Sequence, residues 1–376
     1  MLPPISLQFA SAGHDAEYSS AFLQDGTAWC ARGCEALMLV FRQAGFISPD
    51  RILIPAFHCP SITEAIHRAG LQAEYHQVNA DLTPVASDVA ERLRAGARAL
   101  LLIHYFGFRQ DAERFKRLCD THGALLIEDC AHTHFGIAGQ PLPGEVGHYA
   151  IASTRKLFPL PDGGAAISKA GPVDDRTLRP VPWLEEGRRL LRVTQQAADF
   201  GRLGVLSRPA SGILGLVDRL RHRSAETPTI RTNSPPSINE GPAANQALSR
   251  SSRVARLLTR MTNVTRLARV RRQNYSALVA GLQSFKGCYP LFPELPAGTI
   301  PYVLPLILRD PAHAFPALKA HRVPMFRWEG IDGLGCNVTD AYVTQLIQLP
   351  CHQELRPDDI DWILDQLRRV TEHQPA

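Results

Sequence analysis

Lysine is scarce in this chain of 376 residues: of 41 basic residues only five are lysine, Lys116, Lys156, Lys169, Lys286 and Lys319. Chemistry that needs an amine therefore has five candidates. Long apolar runs are absent as well. No stretch reaches the roughly 18 consecutive apolar residues that argue for a membrane span. Met1–Ser20 lacks a basic segment followed by an apolar one, so no secretory leader is read there and a cytoplasmic location is the expectation. Cysteine is present but unpatterned. The eight cysteines, at 30, 34, 59, 119, 130, 288, 336 and 351, form no CxxC, and no His/Cys cluster has zinc spacing. A disulfide scaffold and a structural zinc site are excluded, and reduced thiols are expected.

Acid is missing from one region. Gly241 to Phe285 carries eight arginines and no Asp or Glu, and Arg179 to Arg223 carries nine arginines against Glu185, Glu186, Asp199 and Asp218. Such stretches attract polyanions: a nucleotide diphosphate, a nucleic acid or an anionic membrane surface. No aromatic interleaving or nucleic-acid motif accompanies them, so no nucleic-acid partner is expected. The helical spacing of Arg253, Arg256 and Arg260 favours a solvated or subunit-facing helix.

What is present is an ordinary enzyme composition, 45% hydrophobic and 20% charged, in a chain long enough for two cores. Between residues 31 and 168 short apolar runs alternate with helical patterns. Strands are expected at Arg51–Ile54, Ala73–Val78, Ala99–His104, Ala124–Ile127 and Ala165–Ser168. Helices are expected at Ala36–Ala44, Ser61–Ala69, Asp88–Arg94 and Gln110–His122. This rhythm predicts an α/β fold with a mostly parallel sheet between two helical layers, whose ligands bind beyond the carboxyl ends of the strands. After Ile167 the rhythm stops. Residues 171–240 read as a basic, Pro-rich insertion with a helix over Glu185–Leu206 and a loop over Thr227–Pro242. A long helix is expected from Ala244 to Leu282. Strands at Tyr302–Leu308 and Gln345–Leu349 and helices at Ala312–His321 and Pro357–Val370 complete a smaller α+β part. The division expected is 1–240 for the N-terminal segment, large domain and insertion, and 241–376 for the small domain.

Three features carry chemistry. The strand ending at Ile127 runs into Glu128 and Asp129, placing two acids at the mouth of a buried parallel strand; a helix cap or a solvated acid is the plainer reading of either one. The small-residue strand around Ala150–Ala152 delivers Ser153, Thr154 and then Lys156, with Gly163-Gly164 before the next strand. An amine placed there is partly desolvated, which lowers its pKa in the direction that a Schiff-base lysine needs. Arg32-Gly33-Cys34 opens an apolar helix, and a glycine at a helix start lets backbone N–H groups reach an anion.

Together these features, with Lys156 27 residues after Asp129, resemble a pyridoxal 5'-phosphate (PLP) site. The chain resembles fold-type-I PLP enzymes, and among them the DegT/DnrJ/StrS family of sugar aminotransferases. The resemblance rests on Ile54-Pro55-Ala56-Phe57-His58, on His104-Tyr105-Phe106-Gly107, on Leu126-Ile127-Glu128-Asp129-Cys130-Ala131-His132, and on Lys156 with Gly163-Gly164. It is fainter at Glu240–Ala244, Arg271–Leu282 and Leu349–Ile360. It implies that PLP is the cofactor, that Lys156 is its Schiff-base lysine and proton shuttle, and that Asp129 pairs with the pyridinium nitrogen. It places His132 near the phenolic oxygen and Gly33, Cys34 and Ser153 on the phosphate. The family's stacking aromatic falls on Cys59, which leaves His58 or Phe57 for the ring face. Cys34 stands where the family has threonine, Ile151 where it has serine, and the family's Asn-Tyr-Arg has no clear counterpart near Asn233–Asn239.

The resemblance also implies an amino-acid donor, glutamate being the expectation, and a keto-sugar acceptor, nucleotide-linked, in polysaccharide or secondary-metabolite synthesis. It implies a homodimer with the active site at the subunit interface. His104 and Arg327 are candidates for substrate contact; the alternative is a hydrogen-bonded structural role for His104 and a packing role for Phe326 and Trp328 on either side of Arg327. The rival readings are a lyase or dehydratase on the same fold, against which Lys156 itself speaks, and a PLP-binding regulatory protein without turnover.

Overall fold

The structure is a computed structural model and describes residues 17–158, 160–199 and 247–372. The expected loop over Thr227–Pro242, residues 200–206 of the helix expected to Leu206, and the stretches Asn233–Asn239 and Glu240–Ala244 lie outside the described residues.

Twelve strands are described: β1 (Tyr18–Ser19), β2 (Ala28–Cys30), β3 (Arg51–Pro55), β4 (Gln72–His76), β5 (Ala99–Ile103), β6 (Leu125–Asp129), β7 (Gly136–Ile137), β8 (Tyr149–Ala152), β9 (Gly164–Ser168), β10 (Cys288–Pro290), β11 (Val303–Leu308) and β12 (Leu346–Pro350). The helices are α1 (Gly33–Gln43), α2 (Pro60–Arg68), α3 (Ala86–Arg94), α4 (Ala112–Thr121), α5 (Trp183–Asp199), α6 (Arg253–Met261), α7 (Val264–Leu282), α8 (Pro311–Ala320), α9 (Asn337–Gln345) and α10 (Pro357–Thr371). The main sheet has the order β2-β9-β8-β6-β5-β3-β4. Strands β3, β4, β5, β6 and β8 are parallel, and β9 is antiparallel to both its neighbours.

The two faces of this sheet are legible in the alternation of its side chains. Ile52, Ile54, Leu101, Ile103, Ile127 and Ile151 point to one face, where Leu37 and Phe41 of α1 and Ile62 and Ile66 of α2 meet them. Leu53, Leu100, Leu102 and Leu126 point to the other, under Val89 and Leu93 of α3 and Phe115 and Cys119 of α4. Every residue of β5 is buried, as expected of a strand with a helical layer on each side.

Strands β10, β11 and β12 form a separate antiparallel sheet, and its core is continuous with the α1–α2 face of the main sheet through residues such as Leu278, Leu304 and Leu349. Most expected elements lie within one or two residues of the observed ones. The single helix expected over Ala244–Leu282 is corrected. Residues 247–252 are not helical: Arg250 bridges to Cys30 and Ser249 to Arg179. The Ser252 side chain then caps α6, accepting from the Ala255 N–H. The chain breaks at Thr262, and the Asn263 side chain caps α7 by accepting from the Arg266 N–H. Two N-cap residues inside the expected helical pattern each start a helix, so that two stand where one was expected. The excursion that carries α5 is closed at its base, where Arg179 N–H donates to Leu248 O and Arg250 N–H donates to Arg179 O, both at 2.8 Å.

Candidate active site

Strands β6 and β8 are parallel neighbours with Asp129 opposite Ile151, so both chains leave the sheet at the same edge. Asp129 continues the row of Ile127 and lies on the α1–α2 face; Glu128 continues the row of Leu126 and lies on the other. After Ala152 the chain makes a 3-10 turn over Thr154–Lys156. The half-buried Lys156 places its Nζ 2.7 Å from His132 Nε2 and 5.7 Å from the centroid of the Tyr302 ring. Burial pushes the Lys156 pKa down; Cys59 and Asp129 oppose this and Arg155 adds to it. Burial pushes the Asp129 carboxyl up, against the pull of Lys156, the Ala131 N–H and His104. The Ala131 N–H, at 2.8 Å from Oδ1, is the one hydrogen bond described on that carboxylate. Acid and amine are both pushed toward their neutral forms, and a cationic group placed between them would restore the charge of Asp129.

The N-terminus of α1 lies against the same turn. Its cap residue, Arg32, makes no side-chain capping bond, which leaves the first N–H groups of the helix available. A Cβ on Gly33 would stand 3.4 Å from Ser153 Cβ, and one on Gly164 only 2.2 Å from Arg32 O. Glycine is therefore what allows β9 and the start of α1 to close on each other. Ser153 Oγ donates to Gly163 O at 3.4 Å, and Gly163 N–H donates to Ala31 O. Thr154 Oγ1 is buried with no hydrogen-bond partner. Gly33 and Ser153 thus meet at an uncapped helix end, with Cys34 the next residue of α1 and the orphaned Thr154 hydroxyl beside Gly163, a donor set suited to a phosphate. Cys34 is half-buried, and burial pushes its thiol up, so it is neutral there.

Residues 21–179 match the DegT/DnrJ/EryC1/StrS aminotransferase family. This is the family that the sequence resembles, and the matching segment contains Gly33, Asp129, His132, Ser153 and Lys156. Over 156 residues the chain is 26% identical to the GDP-perosamine synthase of Vibrio cholerae, an alignment that covers 40% of this chain and 41% of that protein. The match therefore spans about two fifths of the length of that curated relative. The fold likeness runs further. The aminotransferase TlmJ from Streptoalloteichus hindustanus superposes with a TM-score of 0.63 at 22% identity, over 92% of this chain and 85% of that one. DesV of S. venezuelae, solved in complex with a ketimine intermediate, superposes with a TM-score of 0.63 at 17% identity, over 95% and 89%. The chain has the fold-type-I architecture of these enzymes.

Within the family segment, two expected contacts lie elsewhere. His58 is buried and turned into its own loop: Nδ1 is 3.0 Å from Pro55 O and 3.1 Å from Ala56 O, and Nε2 is 2.5 Å from Thr63 Oγ1. Its ring stacks on Tyr75 at 5.6 Å, and burial lowers its pKa to about 4. The ring nitrogens of His58 pin the turn after β3 and Tyr75 covers one of its faces; its neighbour Cys59 acts on the charge of Lys156 together with Asp129 and Arg155. His104 is likewise spent. Its Nδ1 accepts from the Gln110 N–H at 2.9 Å, and its Nε2 lies 2.9 Å from Glu128 Oε2, on the face away from Lys156.

Outside the family segment, Arg327 donates to Thr344 O and Glu329 Oε1, with its guanidinium 3.7 Å from the Phe315 ring centroid, so it braces the small sheet's helices. Its neighbour Trp328 reaches the site. That ring is 5% exposed and lies 5.0 Å from Phe57 and 6.0 Å from His132. Tyr302 stacks on His132 at 4.7 Å with an interplanar angle of 13°. Arg271, fully buried on α7, donates to Leu157 O, Pro301 O, Tyr302 O and Gln353 Oε1, tying the residue after Lys156 to the one before β11. Tyr302 and Arg271 escaped the sequence reading, and Trp328 was expected only to pack. The sequence links none of them to residues 129–156, which lie more than a hundred positions upstream.

Proposed function

We propose that this chain is a PLP-dependent aminotransferase that moves an amino group from an amino acid, glutamate, to a keto sugar, nucleotide-linked, in polysaccharide or secondary-metabolite synthesis. The observation that carries the reading is the placement of Lys156, Asp129 and the uncapped start of α1 around one edge of the sheet. Lys156 would hold the cofactor's aldehyde carbon and Asp129 its ring nitrogen, while Gly33, Cys34 and Ser153 would hold its phosphate. Bound there, PLP supplies a protonated ring that withdraws electrons from the carbon next to the transferred nitrogen.

The chain's own residues do the rest. Asp129, desolvated and with one hydrogen bond, becomes a stable anion when it faces a ring N–H. That arrangement keeps the proton on the ring nitrogen. Lys156 Nζ, pushed toward its neutral form, accepts a proton from a substrate carbon and returns it nearby. Tyr302, His132 and Trp328 wall the site with stacked rings and exclude water. The N–H groups of α1 fix the phosphate and so the distance between Lys156 and the substrate.

The proposal includes a homodimer with the active site at the subunit interface. Its support is the exposed apolar surface of α5 and α6, where Trp183, Leu184, Leu190, Leu257 and Met261 are 43–80% exposed and Arg253 stacks on Trp183 at 4.3 Å. Apolar surface of this kind is usual at an interface between chains. Sedimentation should give a dimer; a monomer that retains stoichiometric PLP would refute that part. The activity is tested by absorbance. Glutamate added to the PLP-loaded chain should abolish the visible band of the cofactor, and the band should return on addition of a keto-sugar acceptor. A band indifferent to every amino donor would overturn the aminotransferase reading.

A further inference from the structure

His132 lies between two fixed points, and together they decide where its proton is. On one side the backbone N–H of Phe106 points at Nδ1 from 3.0 Å. An N–H can only donate, so Nδ1 offers a lone pair and carries no proton. A neutral imidazole has one ring proton, which must then be on Nε2. On the other side Nε2 lies 2.7 Å from Lys156 Nζ. An Nε2–H at that distance needs an acceptor. An ammonium has no lone pair to offer, and a neutral amine has one. An imidazolium or the opposite tautomer would set Nδ1–H against Phe106 N–H.

The Phe106 peptide is held in place at some cost. Phe106 is at φ 58, the left-handed region unusual for a bulky residue, and is fully buried. Its carbonyl accepts from Tyr302 N–H at 2.8 Å. Next to it Gly107 is at φ 107, where an added Cβ would stand 2.4 Å from Ile300 O. The segment before β11 therefore fixes the Phe106-Gly107 backbone and, through Tyr302, the plane of the His132 ring. The other groups around Lys156 are Asp129 of β6, Cys59 before α2, Arg155 on its own turn and His134. Asp129 and Cys59 favour the ammonium; burial and Arg155 oppose it, as does an Nε2–H donated from His132.

We propose that His132 is a positioning residue that donates its Nε2 proton to Lys156 Nζ, holding the amine neutral and aimed before any cofactor arrives. The biological use of that amine rests on the aminotransferase reading; the proton's location does not. Burial pushes the His132 pKa well down, in keeping with a ring that stays neutral.

The test uses the full-length chain without cofactor, labelled with nitrogen-15 at histidine, with His132→Gln assigning the resonance. The His132 ring should be neutral, with the proton on Nε2, across the neutral pH range; an Nδ1–H tautomer or an imidazolium overturns the proposal. Competitive acetylation of Lys156 with acetic anhydride, mapped by mass spectrometry, supplies the second readout. In His132→Phe, which keeps a ring against Tyr302, the midpoint of Lys156 reactivity should rise by about one pH unit, a tenfold fall in neutral amine below it. His132→Gln, which keeps an N–H donor, should stay near the parent chain. Equal midpoints in all three chains overturn the proposal. A chain that never bound PLP would still give the expected result, so the two readings fail separately.

Discussion

Two acids adjacent on β6 face opposite sides of the sheet and meet opposite fates. Glu128 is buried, yet its pKa is held below the usual carboxylate value. Burial raises it, but a bond to His104 and N–H groups from Gly144, Val146 and Gly147 outweigh that. Asp129 is just as buried, has one N–H, and is pushed up. The difference lies in the number of donors. A carboxylate given several is saturated and serves the fold, pinning the 144–147 loop to the sheet. A carboxylate given one keeps a charge in reserve for something that is not part of the chain.

The comparison breaks most visibly through activity. Asp129→Asn should retain the fold and lose about a hundredfold or more in turnover, on the scale of removing one preorganised charge. Full turnover in that variant would give the role to another group. Glu128→Ala should do the reverse. It leaves four donors without their acceptor and should cost about 3 kcal/mol or more of stability, read from chemical denaturation. If it loses turnover without losing stability, the assignment of the two faces is wrong.

The pH dependence of stability sharpens the same contrast. Glu128, with its folded pKa lowered, adds stability that is fully present above the unfolded carboxylate value and lost as pH falls through the folded one. Asp129, with its folded pKa raised, works in the other direction: its contribution is present at low pH and lost as pH rises from the unfolded value through the folded one. Asp129→Asn should therefore melt at or above the parent temperature near neutral pH in the cofactor-free chain, whereas Glu128→Gln should melt below it and lose much of the acid sensitivity. The smallest effect expected is that of His58→Ala, about 1–3 kcal/mol of stability from the loss of its bonds to Pro55, Ala56 and Thr63, with unchanged PLP affinity. A large loss of affinity would restore His58 to the cofactor's face.

The same contrast explains what was legible in the sequence. Asp129, Ser153 and Lys156 could be read because each follows a buried strand, and strand ends of a parallel sheet are where ligands bind. Gly33 could be read from its place before an apolar helix. His58 and His104 also stand at strand ends. Which way their rings turn depends on the carbonyls of Pro55 and Ala56 and on the Gln110 N–H, and no periodicity encodes that choice. Tyr302, Trp328 and Arg271 come from the other end of the chain, brought in by a core shared between the two sheets. The break between α6 and α7 was hidden because the apolar spacing continues across Thr262-Asn263 while the caps interrupt the backbone.

The central claim is that Lys156 is the amine that takes the cofactor. Borohydride reduction of the PLP-loaded chain, followed by peptide mapping, tests it most directly. The account predicts one label, on Lys156. A label on Lys116, Lys169, Lys286 or Lys319, or no label with PLP bound, would contradict it.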